Sequence, residues 1–152
     1  MSAFIRTLFA SAVLLLAVPA VFAAPDFDPT FFDQGESHGH PWLSGGIGAD
    51  QRATLSQLLG TDYNLKLEFA VAEGNYLGAV DVAVLTPRGE AVLTVHSPGP
   101  WLLTRLPPGS YRVRVSGYGK SFEQALTLPA QGARTLIFSR WTTAEVDAFA
   151  PE

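Results

Sequence analysis

The sequence predicts an all-β protein: an antiparallel β-sandwich of seven short strands, preceded by one short helix. Three observations carry that expectation. Beyond Gly60 the apolar residues recur with a period of two. Turn signals interrupt this pattern about every ten residues, with no helical stretch between them. Finally, 152 residues that are 47% hydrophobic and 16% charged fit one domain with a core, not a disordered chain.

The elements follow in chain order. Residues 1–23 have the parts of a secretory signal peptide: Arg6 in a short basic start, an apolar run from Leu8 to Val18, then small residues. Val21 and Ala23 stand at the −3 and −1 positions, which places cleavage between Ala23 and Ala24. The run is short for a hydrocarbon core of ~30 Å and Pro19 interrupts it, so no membrane span is expected after cleavage. Residues 24–48 mix Asp26, Asp28 and Asp33 with Phe27, Phe31, Phe32 and Trp42. No period survives there, so an irregular leader is expected.

A short helix follows over 49–60. Leu55, Leu58 and Leu59 share a face, Asp50 lies in the first turn, and Gly60 suits the C-terminal cap. Residues 61–141 hold the sandwich. Leu65, Leu67, Phe69 and Val71 alternate with polar or small residues, as do Val80, Val82 and Val84. Further strands are expected over 90–96, 101–106, 110–116, 121–128 and 134–141. In one of them Tyr111, Val113 and Val115 point inward while Arg112 and Arg114 face solvent. Pro87-Arg-Gly89, Pro98-Gly-Pro100, Pro107-Pro-Gly109, Gly117-Tyr-Gly119 and Gln131-Gly132 supply the turns. The tail, 142–152, opens with Thr142-Thr-Ala-Glu145, which fits either a capping box or a frayed end.

Charge and cysteine usage remove whole classes of function. A formal net charge of −4 argues against a nucleic-acid partner. The absence of cysteine excludes a disulfide framework, thiolate metal sites and a cysteine nucleophile.

The stretch Leu106-Pro-Pro-Gly-Ser-Tyr-Arg-Val-Arg-Val115 resembles the L-P-P-G-x-Y-x-V hairpin of carboxypeptidase regulatory-like domains, within the transthyretin-like, prealbumin-type sandwiches. Pro-Pro-Gly makes a tight corner, after which the aromatic enters the core. Val80–Glu90 looks like that group's early hairpin. Together with Ser44-Gly-Gly-Ile-Gly48 and Tyr63–Ala70, the pattern is similar to a set of small exported proteobacterial proteins of uncharacterised function. The resemblance covers roughly residues 42–141 and implies a fold; domains of this kind are commonly accessory modules. Hydroxyisourate hydrolases of the same group carry a C-terminal Y-R-G-S, whereas this chain has Ser139-Arg-Trp-Thr-Thr-Ala144, so that activity is not carried over.

Several residues are candidates for chemistry. His38 and His40 lie two apart, so on an extended segment both imidazoles project to one side and can grip one metal ion. Glu36 or the distant His96 would complete a set for Zn²⁺ or Cu²⁺. The competing interpretation is a polar loop with two ordinary histidines. Gly45-Gly-Ile-Gly48 leads into a helix whose backbone N–H groups suit an anion, but Ala49-Asp50 follows in place of Lys-Ser/Thr. Gly119-Lys-Ser121 is likewise hairpin chemistry. No Gly-x-Ser-x-Gly elbow is present, and the adjacency of His96 and Ser97 along the chain is no evidence of a dyad. No catalytic residue is nominated, and no cofactor is expected. Trp42, Trp101 and Trp141 suit either partner or glycan binding or the closing of the core.

The functional expectation is an exported, periplasmic or secreted, non-enzymatic module that binds a protein or another cell-envelope component. Metal binding through the His38/His40 loop is the first alternative. Carbohydrate binding is the second, and it requires two coplanar aromatics on one exposed face. Oligomeric state is not legible in the sequence.

Overall fold

The computed structural model describes residues 28–149, so the expected signal peptide and its cleavage point lie outside the described residues. Nine strands run in chain order: β1 Asp33–Ser37, β2 His40–Gly45, β3 Leu65–Val71, β4 Val80–Leu85, β5 Ala91–Ser97, β6 Trp101–Thr104, β7 Gly109–Gly117, β8 Lys120–Leu128 and β9 Arg134–Trp141. Helix α1 spans Ala49–Leu58, helix α2 spans Thr143–Asp147, and a 3₁₀ turn covers Pro29–Phe31. The chain is all-β, as its period-two pattern predicts. Among the described residues no helix is long and apolar enough to cross a membrane.

The strands form two sheets, ordered β1-β2-β6-β3-β9 and β5-β4-β7-β8. All seven expected strands are present, so the count among the described residues is corrected from seven to nine by β1 and β2, which lie within the stretch expected as an irregular leader. Their missing periodicity has a physical cause. In β2, Trp42 packs against the core between the sheets while Leu43 enters a second cluster on the opposite face. A strand covered on both faces has no polar side to alternate with. β1 fails for the reverse reason, since Asp33, Gln34, Gly35 and Glu36 are all exposed. The turn between them, His38 (φ 51°) and Gly39 (φ 80°), has the two positive φ values that a two-residue hairpin needs.

The expectation of a wholly antiparallel arrangement also needs correction. β3 and β9 pair in parallel, Leu67 opposite Leu136 and Phe69 opposite Phe138. Between them the chain passes through the other sheet, a connection long enough for a parallel pair.

The main core lies between the sheets. It draws Leu67 and Phe69 from β3, Val82 and Val84 from β4, Val113 and Val115 from β7, and Phe138 and Trp141 from β9. Tyr111 is buried at the start of β7 as the Pro-Pro-Gly corner predicts, and its hydroxyl donates to Pro107 O at 2.6 Å. A smaller cluster sits on the outer face of the five-stranded sheet, where Leu55 of α1 meets Leu43, Trp101 and Leu103. One flank is closed by the Thr94 N–H, which donates to Ser37 Oγ at 2.9 Å and ties β5 to β1 across the two layers. At the C-terminus, α2 carries the capping box of Thr142 and Glu145.

Candidate functional site

The local sequence after β2 builds a cleft. Gly45 ends the strand with no side chain, and a Cβ there would stand 2.6 Å from the Phe32 ring. The phenyl group therefore lies flat against the backbone. Gly46, Ile47 and Gly48 then turn the chain into α1, and Gly48 caps the helix without a side-chain hydrogen bond. Gln51 takes over that role from inside the helix. Its Oε1 accepts from Gly46 N–H at 2.9 Å and Ile47 N–H at 3.2 Å, and its Nε2 donates to Phe31 O at 2.8 Å. Arg52 Nη1 donates to Gly46 O at 2.9 Å and to Ile47 O at 3.4 Å. Two side chains of one helical turn thus clamp both the 3₁₀ turn and the loop.

Between those segments lies a cleft of about 470 Å³, walled by Phe31, Phe32 and Ile47 and floored by Gln51 and Thr54. Phe31 is 67% and Ile47 76% exposed. Both side chains line the cleft on backbone that Gln51 and Arg52 hold by hydrogen bonds. Among the described residues, the charged ones lining the cleft are Asp28 and Asp50. The Thr30 hydroxyl (2.6 Å) and amide (2.9 Å) both donate to Asp28 Oδ1, and these bonds hold its carboxyl below the usual carboxylate range.

The expected site residues are dispersed. His38 occupies the hairpin turn with φ 51°, so the extended geometry that would aim it alongside His40 is replaced by a tight reversal. His40 opens β2 opposite Ser37, and Glu36 stands opposite Pro41. His96 lies on β5, where its Nδ1 is 2.8 Å from Asp81 Oδ1. Among the described residues no group of three or more His, Cys, Asp or Glu is placed to hold a metal ion.

The tryptophans do not share an exposed face. Trp141 is fully buried, donates from Nε1 to Gly117 O at 2.9 Å, and meets Phe122 edge-on. Trp101 is buried in the outer cluster with the Lys66 ammonium 3.7 Å from its ring centroid. Trp42 is half-buried and lies across Gly35 of the neighbouring strand. Tyr76 is exposed, with Arg52 over its ring at 4.9 Å.

Other polar candidates resolve into structure. Ser97 is buried and bonded to Ser44 Oγ and Gly99 O, each at 2.9 Å, while its neighbour His96 points to the exposed side of β5. They form no dyad. Arg112 and Arg114 both meet Glu123 on β8, at 3.3 and 3.1 Å, so two outward guanidinium groups share one carboxylate across the strand pair. Two amides of the Gly45–Gly48 segment that suit an anion, those of Gly46 and Ile47, are taken by Gln51, a partner five and four residues further on that no phosphate-loop pattern includes.

Sequence reasoning missed Ile47 and Gln51. Ile47 carries a weak signal, an isoleucine between glycines with no apolar partner at strand or helix spacing. Gln51 carries none, because a glutamine in a first helical turn is ordinarily solvated. Neither a protein-family model nor a curated protein matches the chain.

Proposed function

We propose that this chain is an exported, non-enzymatic β-sandwich module, of carboxypeptidase regulatory-like or transthyretin-like type, that binds an envelope protein. The resemblance of Leu106–Val115 and the two facing sheets support the fold assignment. The apolar run of residues 8–18 supports export. One observation carries the binding proposal: Phe31 and Ile47 are held out in solvent by the hydrogen bonds of Gln51 and Arg52. A surface organised before the partner arrives loses less conformational entropy on binding. The partner is a segment that places an apolar side chain in the cleft beside a basic residue facing Asp28 and Asp50.

The test is capture from envelope extract by the chain beginning at Ala24, compared with Ile47→Ser and Phe31→Ser. Each substitution removes about 1.5–3 kcal/mol of burial at a filled cleft, a loss of about tenfold or more in affinity. Loss of one partner in both variants, with unchanged thermal unfolding, is the expected result. Equal capture by all three proteins overturns the assignment.

A further inference from the structure

A second cleft, of about 400 Å³, opens at the other end of β2, where His40 begins the strand. Among the described residues two basic side chains line it, His40 and Arg105, and no acidic residue does. In a chain of net charge −4 that pairing is uncommon. Among the described residues neither side chain meets a carboxylate.

Arg105 is positioned rather than loose. Its Nε donates to Asp62 O at 2.7 Å and its Nη2 to Thr61 O. A guanidinium has five N–H donors, so both Nη atoms keep a free one and together form a planar fork. The walls are equally fixed. Thr104 Oγ1 donates to Pro41 O at 2.8 Å. Asn64 bonds both backbone groups of Leu106, at 2.8 and 3.0 Å. The Tyr111 hydroxyl holds Pro107 O.

We propose that this cleft binds a carboxylate carried on a small apolar group. The fork of Arg105 matches two coplanar oxygens, and the His40 ring adds a donor at the cleft's edge. Pro41, Leu106, Pro107, Pro108 and Ala130 receive the apolar part. The same walls disfavour phosphate. Three of them are prolines, which have no backbone N–H, and the Leu106 and Asn64 amides are already bonded to Asn64 Oδ1 and Thr104 O, so five of the nine lining residues have no free amide to offer a tetrahedral anion. The carboxylate has two sources, a free organic acid or the terminus of a peptide chain. The site is independent of the Phe31–Ile47 cleft and of any partner bound there.

Titration calorimetry and amide NMR with four probes test this on the chain beginning at Ala24: isovalerate, N-acetyl-glycyl-leucine, the C-terminal amide of that dipeptide, and inorganic phosphate. Saturable binding of an acid is expected, with shifts at Gly39, Ala130 and the Arg105 side chain. The amide and the Arg105→Gln variant should each bind about tenfold more weakly or worse, and His40→Ala about threefold more weakly. Binding of both acids with similar affinity marks a free organic acid as the source; binding of the peptide acid alone marks a chain terminus. Three results overturn the proposal: no saturable shift with either acid, equal affinity for the amide, or phosphate binding as tight as the acid. Should Arg105→Gln fail to fold, the acid and amide arms on the unsubstituted chain decide.

Discussion

Between the sheets, Leu67, Phe69, Val82, Val113 and Phe138 come from strands of both layers, so each is held in place by its strand's backbone ladder. Under α1 the same residue types make a second cluster, yet one of its walls is a helix that buries a single side chain, Leu55. Leu58 adds a partly buried apolar contact, and the attachment at the start of the helix is polar and local, through Gln51 and Arg52. Removing an inner residue therefore disturbs two sheets at once, while removing an outer one releases a helix and the loop that presents Ile47. The more weakly held region is also the one that displays the binding surface, as expected where recognition elements sit on a rigid scaffold.

The largest effect separating the two regions belongs to Trp141→Ala. It empties a fully buried site, removes the bond to Gly117 O and strips Phe122 of its partner. A loss of about 3–5 kcal/mol in denaturant unfolding is expected, with every probe reporting one transition. Leu55→Ala should cost about 2 kcal/mol, near the low end for a buried leucine, because an outer site can collapse. Hydrogen exchange should then quicken in α1 and residues 46–48 while β4 and β7 stay protected. Uniform acceleration across both sheets would show that the two clusters unfold together.

Gln51→Ala is a finer cut. It removes the acceptor of two amides and the donor to Phe31 O, with an expected loss of about 1 kcal/mol. The Ile47 amide should lose its protection, and binding at the cleft should weaken although no apolar contact has been deleted. Full retention of both would make the clamp irrelevant to presentation.

The smallest effect lies at α2. Thr142→Ala should destabilise that helix by about 0.5–1 kcal/mol and leave the sheets unchanged. Acid should act in the same place. Bonding to Lys120, then to the Thr142 amide, holds the Glu145 carboxyl below its ordinary value in the folded chain. A lowered folded pKa means its contribution is full above the ordinary carboxylate range and disappears as pH falls through the lowered pKa. NMR of the α2 amides should show fraying over that acidic interval, and Glu145→Gln should abolish the pH dependence.

What was legible in the sequence follows one rule. Strands with one face on the core and one toward solvent, such as Val80-Asp-Val-Ala-Val84 and Tyr111-Arg-Val-Arg-Val115, leave an alternating trace, and all seven expected strands are present. β1 and β2 break the rule from opposite sides, one exposed along almost its whole length and the other covered on both faces. The metal candidates were legible only as a spacing. His38 and His40 keep that spacing, but His38 belongs with Gly39 to a two-residue reversal while His40 opens a strand, so the extended geometry the spacing assumed is absent. The tryptophans show the reverse: Trp101 after Pro100 and Trp141 at the end of the last strand suit the closing of the core, and packing placed both inside.

Sequence by itself determined the all-β class, the turn positions and the inward set of most strands, because each depends on neighbours within a few residues. Tertiary structure alone decided the parallel pairing of β3 with β9, the covering of one sheet's outer face by α1, and the convergence of His40 with Arg105. Those features join residues many positions apart. Their contacts are selected by the closing of two sheets over one core, a global condition that no local period records.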